Sequence, residues 1–434
     1  MTWSNQQLTG WGRVLTAEAS LARPERRRAA LALAAATPCP AIGRRRSYGD
    51  ACLADRAMLT ERLDRVTAFD AEAGTLTAEA GVPLGDLAAR LAPKGWLPPV
   101  MPGTGQATIG GAIAMDVHGK NHHQSGGFGA HVTRFTLAAP DGTAEEVRPG
   151  DPLFDLTVGG LGQTGPILEA EIRLAPVRGD VMLVTERRIG GLTEFCDALD
   201  ASEAPYTVGW VDATAGGDSL GRGILEEGEV TRGLTAPAKR DARVPMDAPG
   251  FALSPAVVRT FNAAYLRRVP ARGRSLVRPI ADYFFPLDKI SDWNRLYGRK
   301  GFHQFQCVVP PEARDALRDM LARIAKAALA SPLAVLKRLG PASSAPMSFP
   351  MEGYTLAIDL PNRTGAERLL ATLNAATVEA GGRVYLAKDS SLTAEQAHAM
   401  YPARAGWAEA VNARDPERAC QTALVRRLRL RDLP

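Results

Sequence analysis

Between Met101 and Val132 the chain reads MPGTGQATIGGAIAMDVHGKNHHQSGGFGAHV, and this stretch restricts the fold more than any other. It holds eight glycines and four of the chain's six histidines, His118, His122, His123 and His131. Glycine lets a backbone take positive φ and approach a bound group closely, so that N–H donors meet it with no Cβ between. Thr108 stands where it can cap a short apolar helix from Ile109 to Met115, whose first turn then faces whatever the glycine turn holds. Such a pattern suits a grip on a nucleotide. A nicotinamide fingerprint needs a strand directly before its glycines, but Pro98, Pro99 and Pro102 stand there, and proline is foreign to a central strand. Zinc is disfavoured, because the histidines lack carboxylate or cysteine company and Cys39, Cys52, Cys196, Cys307 and Cys420 show no C-x-x-C spacing. The plain alternative is a glycine-rich surface loop.

A chain of 434 residues exceeds one compact core and implies two domains, which can interleave. Five scattered cysteines argue against a disulfide framework and for a reducing compartment, the cytoplasm. A net charge of +5 over this length does not call for nucleic acid. Arg26, Arg27 and Arg28 before an alanine-rich run imitate an export signal, yet the run lies well inside the chain; with Pro24 in a first helical turn it reads as a surface helix. No run of about 18 apolar residues exists, so a spanning helix is excluded and peripheral membrane contact stays open.

Pro40, Ala41 and Ile42 form a short extended run into Gly43, Arg44, Arg45 and Arg46, a turn whose N–H and guanidinium donors suit a pyrophosphate or, more plainly, solvent. Hairpins are expected around Asp70 to Gly74 and around Asp141-Gly142, with a helix from Leu84 to Leu91 opened by Pro83. Val158 to Leu174 supplies a second glycine cluster followed by a strand. Together these make an α+β domain with two backbone loops for one extended cofactor.

From about Asp180 the composition turns to ordinary strands and helices. Tyr206 to Asp212, Gly301 to Pro310 and Tyr354 to Leu360 alternate as strands, which puts Gln304 and Gln306 on one face; Pro311 to Leu329 has helical spacing at Leu317, Met320, Leu321 and Ile324. Ala248 to Ala281 carries Arg259, Arg267, Arg268, Arg272, Arg274 and Arg278 and no acid, a block expected to be mobile and attractive to anionic lipid or phosphate, or else a solvated loop. Lys388 interrupts a strand-like run within Lys-Asp-Ser-Ser.

RSYGD (46 to 50), PGT (102 to 104), TIGGAIAMDVHGKNHH (108 to 123), FGAHV (128 to 132), YFFPLD (283 to 288), WNRLYG (293 to 298), RVYLAKDS (383 to 390) and HAMYP (398 to 402) together resemble the decaprenylphosphoryl-β-D-ribose 2′-oxidase family, of the vanillyl-alcohol-oxidase type of flavoprotein. The likeness runs through nearly the whole chain. It implies a two-domain α+β fold: an FAD-binding domain of residues 1–179, a substrate domain with an antiparallel sheet over 180–382, and a return of 383–434 to the first domain. Carried over by position, the FAD contacts are Ala41, Ile42, Gly43, Arg44, Arg45, Arg46, Ser47, Tyr48, Gly49, Asp50 and Ala51, then Gly103, Thr108, Ile109, Gly110, Gly111, Met115, Asp116, Val117, His118, Ile167 and Tyr385. The resemblance implies non-covalent FAD with His118 close to it, and substrate-side residues Trp210, Gln304, Gln306, Lys337 and Lys388, with Tyr48 beside them. Two departures stand out: Arg45 replaces a glycine usual in the family, and Ala357 stands where members often carry cysteine.

The chemistry so implied is oxidation of the 2′-hydroxyl of a polyprenylphosphoryl ribose to a keto sugar, the first half of an epimerisation that leads to an arabinan precursor for cell-wall biosynthesis and that a short-chain keto-reductase partner completes. Lys388 is expected to position the hydroxyl, with Tyr48 and His118 on the proton path. A quinone or another acceptor would take the electrons. Rival readings are a sugar or aldonolactone oxidase of the same flavoprotein group acting on a soluble polyol, for which the prenyl chain is irrelevant, and a non-catalytic flavin or lipid-phosphate binder, for which Lys388→Ala changes nothing.

Overall fold

Period-2 and period-3.6 patterns become elements largely where they are written. The structure is a computed structural model that describes residues 2–234 and 242–433. A four-stranded sheet joins Ser4–Thr9, Thr16–Ala22, Arg56–Leu59 and Ala41–Ile42 in that spatial order. The helix expected after Pro24 is Arg27–Ala36, so the proline precedes the helix rather than occupying its first turn. A five-stranded sheet follows in the order Val66–Asp70, Thr75–Glu79, Ile167–Arg173, Val132–Ala138, Ala144–Val147, and its two hairpins turn at the expected places. Ile109–Ala114 lies among the residues of this sheet's core, with Ile109, Ala112 and Ile113 buried beside Phe135, Ile167 and Ile172, and Thr108 caps it by accepting from the Gly111 N–H.

The largest sheet has eight strands, ordered Arg274–Pro279, Val181–Ile189, Gly223–Thr231, Tyr206–Val211, Ala334–Leu339, Gly353–Pro361, Phe302–Val309 and Arg383–Val384, every pair antiparallel. Successive side chains of a strand point to opposite faces. Phe305, Cys307, Leu336, Leu356 and Ile358 therefore share one core with Phe195, Leu317, Met320, Leu321 and Leu369 from the helices Leu192–Asp200, Arg314–Ala327 and Ala366–Glu379. Their neighbours Gln304, Gln306, Val335, Lys337, Ala357 and Asp359 are left facing a large cavity. Register pairs Gln304 with Asp359 and Gln306 with Ala357.

The arginine block departs from expectation. It is neither mobile nor a solvated loop: Pro255–Arg267 is a helix and Arg274–Pro279 an edge strand on Val181–Ile189. Glu186, fully buried on that neighbouring strand, accepts from Arg268 Nη1 at 2.6 Å, from Arg274 Nε at 2.6 Å and from Arg278, while Glu226 accepts from Arg268 and Arg278 at 3.2 Å. Three of the six arginines are consumed by distant carboxylates.

After Arg383–Val384 the chain turns back on its first third. Thr393 starts Ala394–Met400 with a complete capping box. Trp407 Nε1 donates to the Leu156 carbonyl at 3.1 Å, Gln163 to the Cys420 carbonyl at 2.9 Å, and Arg427 bridges Asp50 (2.8 Å) and Asp389 (2.7 Å). All five cysteines are free and buried. Among the described residues no helix is long and apolar enough to cross a membrane.

Candidate active site

One cavity of about 1100 Å³ is bounded by both glycine-bearing loops, the free face of the eight-stranded sheet and the Tyr385–Lys388 turn, so Gly43, Gly110 and Lys388 border the same space. That volume exceeds what a drug-sized ligand commonly occupies, about 300–1,000 Å³, and suits an extended dinucleotide with a substrate beside it. Of the expected cofactor residues, Ala41, Ile42, Gly43, Arg44, Arg45, Arg46, Ser47, Tyr48 and Ala51 line it from the first loop, and Gly103, Thr108, Gly110, Gly111, Met115, Val117, His118, Ile167 and Tyr385 from later segments. Trp210, Gln304, Gln306, Lys337 and Lys388 line it from the sheet side.

The two loops are locked together. A Cβ on Gly43 would come within 2.6 Å of Thr108 Oγ1, so only glycine lets the arginine turn lie against the helix cap. Arg45 has φ 52°, the left-handed region that a glycine enters without strain; the arginine adopts it at a cost of about 1–2 kcal/mol, with Nη2 3.3 Å from Glu61. Arg46 lies 4.2 Å from the Trp11 ring centroid, and its buried Nε has no protein partner. An unpaired guanidinium donor and the open space around Gly103 fit an anionic, extended cofactor.

Four of the expected cofactor residues lie outside the cavity lining. Ile109 is turned into the core of the five-stranded sheet. Gly49 backs onto Asp389, whose carbonyl would sit 1.8 Å from a Cβ placed there. Asp50 binds Arg427 at 2.8 Å through both oxygens. Asp116, at φ 37°, accepts from the Gly129 N–H at 2.9 Å and from Ser348 at 2.6 Å, pinning the FGAHV turn. None of these four lines the cavity; the carboxylates hold the loops that do.

The far end of the cavity is a cluster of partly dehydrated ionisable groups. Lys388 Nζ stands 3.8 Å from the Tyr48 ring centroid, and burial, against the pull of Asp359, brings its pKa down to about 7. Asp359 is raised to about 7, chiefly by burial, while accepting from Gln304 Nε2 at 2.5 Å and Tyr297 OH at 2.9 Å. Tyr48 is held well above the ordinary phenol value by burial, so it stays an O–H. His118 is pushed well below its usual range by burial and then by Lys337, which leaves it neutral. Gln306 Nε2 lies 2.9 Å from His118 Nε2 and Lys337 Nζ lies 3.2 Å from its Nδ1, so the two side chains engage both ring nitrogens. Lys337 is itself lowered to about 7 by burial and by Lys120 and Lys388.

Two wall residues escaped the sequence reading. Lys120 lies two places after His118, its Nζ 3.7 Å from the Tyr283 ring centroid and 2.5 Å from the Tyr283 carbonyl. Its place in HGKNHH was the available signal. Asp359 had a fainter one, an acid inside an otherwise apolar strand.

Comparison with known proteins follows the same lines. Residues 21–148 match the FAD binding domain model. Decaprenylphosphoryl-beta-D-ribose oxidase of Mycolicibacterium smegmatis is 34% identical over 98% of this chain and 98% of its own length. An uncharacterized protein of Streptomyces coelicolor is 34% identical over 79% of this chain and 99% of its own. D-lactate dehydrogenase [cytochrome] 1 of Saccharomyces cerevisiae is 33% identical over 26% of this chain and 21% of its own. The cofactor is FAD, and the α+β architecture is that of the vanillyl-alcohol-oxidase type.

Proposed function

Because the chain belongs to the FAD-dependent oxidoreductase family that includes the mycobacterial decaprenylphosphoryl-beta-D-ribose oxidase, we propose that it oxidises the 2′-hydroxyl of a polyprenylphosphoryl ribose to the ketone. The observation that carries this reading is the convergence of Lys388, Tyr48, Gln304, Gln306 and His118 on the cavity that the FAD-binding loops border. On this reading residues 1–179 and 383–434 hold the cofactor and 180–382 the substrate.

When bound, FAD supplies the acceptor for the hydride leaving the carbinol carbon. The chain's own residues handle position and proton. Lys388, with a pKa near 7, exists substantially as a free amine at neutral pH and takes the hydroxyl proton. Asp359, held by Gln304 and Tyr297, stabilises the ammonium that results. The Tyr48 ring under Lys388 Nζ fixes its direction and favours the charged form through the ring face. Gln306 and Lys337 hold the neutral His118 ring in one orientation, and that ring presents a wall beside the reacting carbon rather than a base.

Transfer of the hydroxyl proton to Lys388, with the oxidation that bound FAD would supply, would leave a keto sugar, which a reductase acting nearby would convert to the epimeric alcohol, and a quinone would serve as electron acceptor. The test is anaerobic: yellow, FAD-loaded protein should bleach when given the lipid-linked ribose. Failure to bleach with that substrate, alongside bleaching with free sugars, would end the reading.

A further inference from the structure

One part of the cavity wall carries more positive charge than its own carboxylates balance. Lys120, Arg268 and Arg278 all line it, and Glu226 is the carboxylate set among them. Arg274 and Glu186 stand directly behind, so four cations meet two carboxylates. Asp282 and Lys289, which also line the cavity, form their own 3.5 Å pair. Donors remain to be filled as well. Arg268 Nε is buried with no partner, although Nη1 binds Glu186 and Nη2 binds Glu226 and Tyr265 OH. Lys120 makes one hydrogen bond, to the Tyr283 carbonyl, out of the three its ammonium can donate.

Beside this cationic wall the cavity turns apolar and opens outward. Phe261 and Tyr265 both line it and stack on each other with centroids 5.8 Å apart, and Phe261 is 49% exposed. Val257, one turn earlier on the same helix, and Phe251 just before it are exposed too, at 45% and 72%.

We propose that Lys120, Arg268 and Arg278 form the seat of the substrate's phosphoryl group, and that the hydrocarbon attached to it leaves the cavity past Tyr265 and Phe261. A phosphodiester carries one full negative charge and oxygens that accept from forked guanidinium and ammonium donors. The proposal rests on the reading of the reaction given above and adds the residues that tell a phosphoryl-linked sugar from a free one. Glu186 and Glu226 have a positioning part, since they hold Arg268 and Arg278 at the wall.

The experiment is isothermal titration calorimetry of the FAD-loaded protein with geranyl phosphate, geraniol and inorganic phosphate. Geranyl phosphate should bind about tenfold or more tighter than geraniol, the scale of a hydrogen bond to a charged group, and the advantage should shrink as salt rises. Lys120→Met, which removes no ion-pair partner, should lose most of that advantage while geraniol binds as before. Arg268→Lys, which keeps the charge that Glu186 needs, should lose part of it. Equal binding of geranyl phosphate and geraniol, or an undiminished advantage in both variants, would overturn the assignment. Inorganic phosphate binding as tightly as geranyl phosphate would also overturn it, in favour of a free-anion site. No readout here uses flavin reduction, so a protein that keeps the geranyl phosphate preference yet is not bleached by the lipid-linked ribose would refute the reaction and leave this seat in place.

Discussion

Replacing Glu186 by glutamine tests how the cationic wall is held. The side chain is fully buried and accepts from three guanidiniums, and its pKa is lowered from 4.5 to about 2, with the hydrogen bonds and charges of Arg274, Arg268 and Arg278 outweighing burial. At ~1.36 kcal/mol per pKa unit that depression corresponds to about 3 kcal/mol of stability carried by the carboxylate. Removing one partner of a buried ion pair costs about 3–5 kcal/mol by experience with other proteins, the same range. For a chain of 434 residues an unfolding entropy of roughly 2.1 cal/mol/K per residue makes about 3 kcal/mol equal to a Tm loss of about 3 °C. Because the folded-state pKa lies below the unfolded one, the contribution is complete above about pH 4.5 and disappears as pH falls towards 2. Differential scanning calorimetry should therefore show Glu186→Gln about 3 °C below wild type at pH 7, the gap closing as the medium is acidified. Glu229→Gln, an exposed change on the adjacent strand, should shift stability by less than about 0.5 kcal/mol. A Glu186→Gln protein as stable as wild type at pH 7, or a gap independent of pH, would refute the argument that the carboxylate balances the wall.

Other outcomes follow from the same geometry. Lys388→Ala should lower kcat by about 100-fold or more, as loss of a general base does, while the purified protein stays yellow; rapid-mixing absorbance measures both. The rate of flavin bleaching should rise with pH through about 7 as Lys388 loses its proton, and Asp359→Asn should move that inflection to lower pH, because the carboxylate now holds the proton on; a pH–rate profile decides it. Gly49→Ala forces a Cβ to within 1.8 Å of the Asp389 carbonyl and should cost at least about 1–3 kcal/mol, read as a lower denaturant midpoint with weakened FAD retention.

The signals that the chain carries openly are those whose partners lie within a few residues. Pro83 before Leu84–Leu91, the Thr108 cap on Ile109–Ala114 and the capping box at Thr393 each act over a single turn of backbone. The hairpin turns at Asp70 to Gly74 and Asp141-Gly142 do the same. Alternation put Gln304 and Gln306 on one face because a strand has only two. Charge could not be read in that way. Arg268, Arg274 and Arg278 look like a free basic loop until Glu186 and Glu226, 42 to 92 positions away in sequence, arrive beside them across the sheet. Asp50 and Asp116 look like ligand groups until Arg427 and Ser348 reach them from hundreds of positions further along the chain. Asp359 joins the site because helices cover the other face of the eight-stranded sheet, and Lys120 because its loop folds against Tyr283. Caps, turns and strand alternation depend on neighbouring dihedrals and are written locally, whereas a buried charge is defined by whichever opposite charge folding brings within a few ångströms, and that is decided only when distant strands are set side by side.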